Sequence, residues 1–172
     1  MSRRFAFVVA VLAVAAVVAA LVLLWPTTAP TTGSSPPSAI KSGLDPLVEE
    51  FRATERRAVQ QFNDALRTQR EGTIDELELS NKIERDVLEP WRALRTRVSN
   101  APSQGELYST LRLYLEARQL SWEAYVAALR APGDEAARPH YEAHRAKNAE
   151  AQEHAKHLGQ LFRAAAEPPS SP

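Results

Sequence analysis

The sequence predicts an all-α protein: a single N-terminal transmembrane helix, a Pro/Thr/Ser stalk, and an antiparallel up-down-up-down four-helix bundle. Three observations carry that prediction. Residues 5–25 contain no charged or polar side chain, and residues 26–43 are mostly Pro, Thr, Ser, Ala and Gly with Lys41 as their single charge. From residue 44 onward, apolar side chains recur every three or four positions in four blocks. Each block ends in Gly, Asn or Pro, and the period-two alternation of strands is absent.

Met1 to Arg4 is a short stub with two arginines, and the apolar run from Phe5 to Trp25 follows it. As a helix that run is roughly 31 Å long, matching a bilayer hydrocarbon core of about 30 Å. A cleaved signal peptide has a shorter apolar core, about 7–15 residues, and a small-x-small cleavage site. Here the run is longer and closes on Trp25-Pro26, an interfacial anchor and a helix stop, while triplets such as Thr27-Thr28-Ala29 make poor cleavage sites. An uncleaved signal anchor is therefore expected, making this a single-pass protein of a bacterial-type inner membrane. Arg3 and Arg4 keep the N-terminus cytoplasmic and place the remainder outside. The stalk, residues 26–43, cannot bury apolar surface and should be extended, carrying the bundle up to roughly 50 Å from the bilayer.

The bundle is expected over residues 44–166, with a disordered tail at 167–172. Asp45 reads as an N-cap with Pro46 at the first helical position, and Leu47, Phe51, Ala58, Phe62 and Ala65 give the first stripe. That helix stops near Arg70, just before Gly72. "TIDE" (Thr73 to Glu76) and "SQGE" (Ser103 to Glu106) read as capping boxes that open the second and third helices. The second stripe runs through Leu77, Leu88, Trp91, Leu94 and Val98. The third runs through Leu107, Leu111, Leu115, Trp122, Val126 and Leu129. Asp134 is read as the cap of the fourth helix, whose seam is Ala137, Tyr141, His144, Asn148, Ala151, Ala155, Leu158, Phe162 and Ala165. Pro90 and Pro139 fall inside helical patterns. Each removes a backbone hydrogen bond and is expected to kink its helix, or, at Pro139, to mark a later helix start near Arg138.

Composition narrows the function classes. Of 21 basic residues only Arg3 and Arg4 precede Lys41, so the remainder of the chain carries 19 basic against 21 acidic side chains, a balance of −2. No basic excess marks a nucleic-acid partner. With no Cys, disulfides and thiolate zinc sites are ruled out, and no glycine-rich phosphate loop appears among six glycines. No cofactor is implied, and no nucleophile stands beside a recognisable base; Ser121 lies near a seam without one.

All four histidines fall between His140 and His157 on the fourth helix. His140/His144 and His154/His157 each share a helix face and could give two ligands to a metal, but a third would have to be a carboxylate from another helix. The di-iron bundle signature needs Glu three residues before each His; Ala137, Tyr141, Ala151 and His154 stand there instead. Flanking histidines on a polar helix is the plainer reading.

Polar residues interrupt three apolar stripes: Glu84 on the second helix, Arg118 on the third, His144 and Asn148 on the fourth. Folding the second and third helices back about residues 98–103 sets Glu84 opposite position 117. Folding about residues 130–134 sets Arg118 opposite position 146. All four are thus expected at one height, as a buried ion pair fixing register or as a small pocket in which Arg118 meets an anionic group and His144 senses pH. "WRALRTR" (Trp91 to Arg97) is either a lipid- or acid-binding face or the wet side of its helix. In outline the architecture resembles membrane-tethered sensor-type four-helix domains of bacteria, though only Met1 to Arg4 face the cytoplasm. The expected function is a non-catalytic, membrane-anchored interaction or scaffold module, engaging a protein partner or a second copy of itself. The alternative is a small-molecule- or metal-binding bundle built on Glu84, Arg118, His144 and Asn148.

Overall fold

The computed structural model describes residues 46–102 and 105–166. The expected anchor, stalk and tail, and the caps assigned to Asp45 and Ser103, lie outside them. The described residues form four helices and no strand. These are α1, Pro46–Arg70; α2, made of consecutive parts Glu76–Ile83, Glu84–Leu88 and Glu89–Asn100; α3, Glu106–Arg130; and α4, Asp134–Ala166. None of them is long and apolar enough to cross a membrane.

The ends follow from local chemistry. Past α1, Gly72 takes φ +74°, a left-handed conformation that glycine adopts without penalty. Its N–H bonds the Gln69 carbonyl and the next N–H, of Thr73, reaches back to Thr68 at 3.2 Å, closing a Schellman motif. That engagement corrects the expected Thr73 capping box. With Thr73 still tied to α1, the cap moves two residues on: Asp75 Oδ1 accepts from Glu78 N at 2.8 Å, and Asp75 N donates to the Glu78 carboxylate at 3.4 Å. The chain offers both motifs, and the charged cap at the start of the helix is the one used. Leu77, expected on the core stripe, is 60% exposed, whereas Leu79 is fully buried.

Around Pro90 the second helix does not break. Residues 84–88 widen into a π turn in which the Glu89 N–H donates to the Glu84 carbonyl. The wider turn sits just ahead of a residue with no N–H and a ring that crowds the preceding turn, and helical hydrogen bonding carries on past the proline. α3 begins at Glu106 with an extended Gly105 as its cap and no side-chain cap bond. At the start of α4 the Gly133 carbonyl accepts from Ala137 N at 3.0 Å, so Gly133 is the cap and Asp134 the first helical residue, placed to favour the positive end of the helix. α4 continues through Pro139 without interruption.

Contacts between helices set their directions. Arg95 meets Glu116, Arg92 meets Glu123 and Arg130 meets Ser80, so α2 and α3 are antiparallel. Arg118 with Asn148, Ser121 with His144 and Glu106 with His157 do the same for α3 and α4. Phe51 packs on Tyr114 and Phe62 on Trp122, so α1 and α3 run parallel across the diagonal. α3 is the central helix: 14 of its residues are buried, on faces turned to every other helix. The core is a column of aromatic rings. Trp91 crosses Trp122 edge-on at 4.9 Å, its indole N–H donates to the Leu115 carbonyl at 3.0 Å, and Phe51, Tyr114 and Phe62 continue the column. Edge-to-face pairs of this kind add about 0.5–1.5 kcal/mol each beyond the area they bury. α1 and α4 stand further apart than the other neighbouring helices. A guanidinium–ring contact spans that gap, with Arg52 lying 4.6 Å from the centre of the Phe162 ring.

Candidate functional site

Tyr114, Arg118 and Trp122 stand four residues apart on one face of α3, so the guanidinium of Arg118 lies between the two rings, 5.6 Å from the centre of each. Arg118 is 5% exposed, and its Nη1 donates to Asn148 Oδ1 of α4 at 2.5 Å. Its Nε is buried without a hydrogen-bond partner. On the other side, the Tyr114 hydroxyl donates to the carboxyl of Glu55 on α1. Burial foremost raises the Glu55 pKa above its ordinary 4.5, against the Tyr114 hydrogen bond and the charge of Arg118, which lower it. The Tyr114 hydroxyl is likewise raised well above its ordinary value, first by burial and then by Glu55.

One turn along, Ser121 and His144 tie α3 to α4. His144 Nδ1 stands 2.9 Å from both the backbone carbonyl and the hydroxyl of Ser121, and that hydroxyl donates to the His144 carbonyl at 3.3 Å. A carbonyl only accepts, so Nδ1 carries the proton and the imidazole is a donor here. Burial first, then the charges of Arg118 and Arg145, lower the His144 pKa below its ordinary 6.5, against the bond to the Ser121 backbone. Both residues are buried. A histidine that donates from Nδ1 cannot also take a proton there from the Ser121 hydroxyl, so this pair is a clasp and not a nucleophile with its base.

Three of the four residues expected at one height, Arg118, His144 and Asn148, do converge. Glu84 does not. It accepts from Arg92 at 2.5 Å and pairs with Arg130 at 3.6 Å, in a half-exposed network that Arg92 extends to Glu123 at 2.7 Å. Its level on α3 is therefore near residues 123–130, on the order of 8–18 Å along the axis from Arg118. The expected register assumed a tight connection ending in a cap at Ser103. α3 begins only at Glu106, and the pairing slides accordingly.

Glu55 takes the acidic place instead, and the stripe reading of α1 passed over it. A signal was there: Glu55 sits between Phe51 and Ala58 at the same three-four spacing as the buried residues. The arginines of Trp91 to Arg97 are spent within the fold. Arg92 goes to Glu84 and Glu123, Arg95 to Gln119 and Glu116, and Arg97 to Glu50, which makes this the wet side of α2. The histidines separate: His140 is exposed, His154 lies 4.0 Å from Glu150, and His157 lies 3.0 Å from Glu106. Among the described residues no three such side chains are placed to hold a metal ion. Compared with protein-family models, characterised proteins and solved structures, the chain matches none.

Proposed function

We propose that the chain is a non-catalytic binding module of a bacterial-type cell envelope, tethered to the inner membrane by residues 5–25 and engaging a protein partner or a second copy of itself through its extracytoplasmic bundle. The observation that carries the non-catalytic part is the Ser121–His144 clasp. Among the described residues, the hydroxyl-imidazole pair nearest to a catalytic arrangement has its imidazole facing a carbonyl at 2.9 Å and both residues buried. The apolar run of residues 5–25 supports the tether, and the Pro/Thr/Ser-rich composition of residues 26–43 supports a linker between it and the bundle.

The test is position-specific photo-crosslinking of the full chain in native membranes. Probes go on exposed positions of each helix, Arg57, Leu77, Leu113 and Ala143 among them. The expected result is a chain that stays in the membrane pellet after an alkaline wash and gives a discrete adduct from positions on one face. Release by the wash overturns the tether. Absence of adducts from every face overturns the interaction reading.

A further inference from the structure

Arg118 is a buried cation with no carboxylate paired to it directly. No carboxylate among the described residues forms an ion pair with it; Glu55, which feels its charge, is turned to the Tyr114 hydroxyl, and Asn148 offers only a neutral amide oxygen. A buried charge without a directly hydrogen-bonded counter-charge is costly, and in folded proteins such groups are normally paired. Arginine binds a carboxylate best through the edge formed by Nε and Nη2, because two parallel N–H groups there match two oxygens. Asn148 occupies Nη1, on the other side of the guanidinium, and Nε is the atom without a partner. The Asn148 oxygen is engaged by Arg118, which leaves the amide Nδ2 of Asn148 as a further donor. The cluster lies where three helices converge and where α1 and α4 stand apart, and Glu55, on its α1 side, is partly exposed.

We propose that Arg118, with Asn148 and Tyr114 beside it, is the receptor for one carboxylate that enters between α1 and α4 past Glu55. The class follows from charge. A single carboxylate pairs directly with the open edge of Arg118, whereas a dianion such as phosphate would set a further charge against Glu55 in a site with little solvent to screen it. The carboxylate belongs either to a small free acid or to an Asp, Glu or C-terminus of a polypeptide. The inference does not depend on the interaction function proposed above.

The experiment is thermal unfolding of the full chain in detergent, titrated with acetate, with succinate, and with an Asp- and Glu-containing peptide, each against sodium chloride at equal ionic strength. Binding to the folded state alone raises Tm by about 10 °C at a hundredfold excess over Kd. Two substitutions keep the test decisive even where Arg118→Ala fails to fold. Asn148→Asp delivers a carboxylate to Arg118 from within, so Tm rises without ligand and the response to added carboxylate disappears. Glu55→Gln removes the competing acid, and affinity rises roughly tenfold, the scale of one pK unit of like-charge repulsion. A shift with acetate or succinate assigns the free acid, and a shift with the peptide alone assigns a polypeptide carboxylate. No shift beyond chloride in the native chain and in Glu55→Gln overturns the proposal, as does a response that survives unchanged in Asn148→Asp.

Discussion

Leu77 and Leu79 stand two residues apart at the start of α2, and truncating each to Ala separates the pattern of the sequence from the packing of the fold. Apolar spacing alone places Leu77 on the buried stripe. The capping box at Asp75 instead turns Leu77 outward, 60% exposed, and Leu79 inward, fully buried. Leu→Ala at a buried site costs about 2–5 kcal/mol, the transfer of the lost methyl groups plus the cavity left behind. Leu79→Ala is set at about 3 kcal/mol, the middle of that range, because Leu79 is fully buried. With an unfolding entropy near 2.1 cal/mol/K per residue, a bundle of about 120 residues loses roughly 12 °C in Tm. Leu77→Ala stays within about 0.5 kcal/mol, or roughly 2 °C. The assay is thermal melting by far-UV circular dichroism, with urea titrations to show that the m-value is unchanged and the comparison two-state. Equal losses from the two variants, or a larger loss at Leu77, would refute the assigned phase of α2 and the cap that sets it.

The cap itself is tested by Asp75→Ala, expected to cost about 1 kcal/mol, against Thr73→Ala, expected to be near neutral because the Thr73 backbone and not its side chain does the work. Trp91→Phe should lose about 2–3 kcal/mol by the same melts, combining the indole bond to the Leu115 carbonyl with the edge-on contact to Trp122. A loss below 1 kcal/mol would remove Trp91 from the centre of the core. His144 predicts a pH dependence. Its folded pKa lies below its ordinary 6.5, so the unfolded chain takes up a proton first. Its stability contribution is therefore complete above about pH 6.5 and is lost as pH falls through the folded value. Stability profiles of the native chain and of His144→Gln should differ in slope below pH 6.5 and run parallel above it. Glu55 has the opposite sign: its raised pKa favours the fold below about pH 4.5 and counts against it as pH rises through the folded value, so Glu55→Gln should stabilise the protein at neutral pH. A Glu55→Gln chain with unchanged or lowered Tm at pH 7 would contradict the raised pKa of that carboxyl.

Much of the bundle was legible in the sequence because helical periodicity and end signals are local. Gly72 after Arg70, Gly133 before Asp134 and the seam of α4 through His144, Asn148, Ala151, Leu158 and Phe162 all depend on residues within a few turns of one another. The same locality explains why Arg118, His144 and Asn148 stood out as misplaced polar groups before any fold was drawn, and why the α3–α4 register, joined by a three-residue connection, came out as expected. The π turn ahead of Pro90 carries the helix past the proline, and no local signal in the sequence announces it.

Tertiary structure alone decided the rest. Two overlapping capping motifs compete between Thr73 and Glu78, and the one used depends on how α1 ends. The axial offset between α2 and α3 depends on where α3 starts and how the rings of Trp91, Tyr114 and Trp122 interlock, so Glu84 went to a half-exposed arginine network and Glu55 came to the polar layer from a helix distant in sequence. A stripe of side chains states which face of a helix is buried. It carries no information about how far one helix slides along the next, because that distance is set by loop length and by the fit of side chains that meet only when the chain has folded.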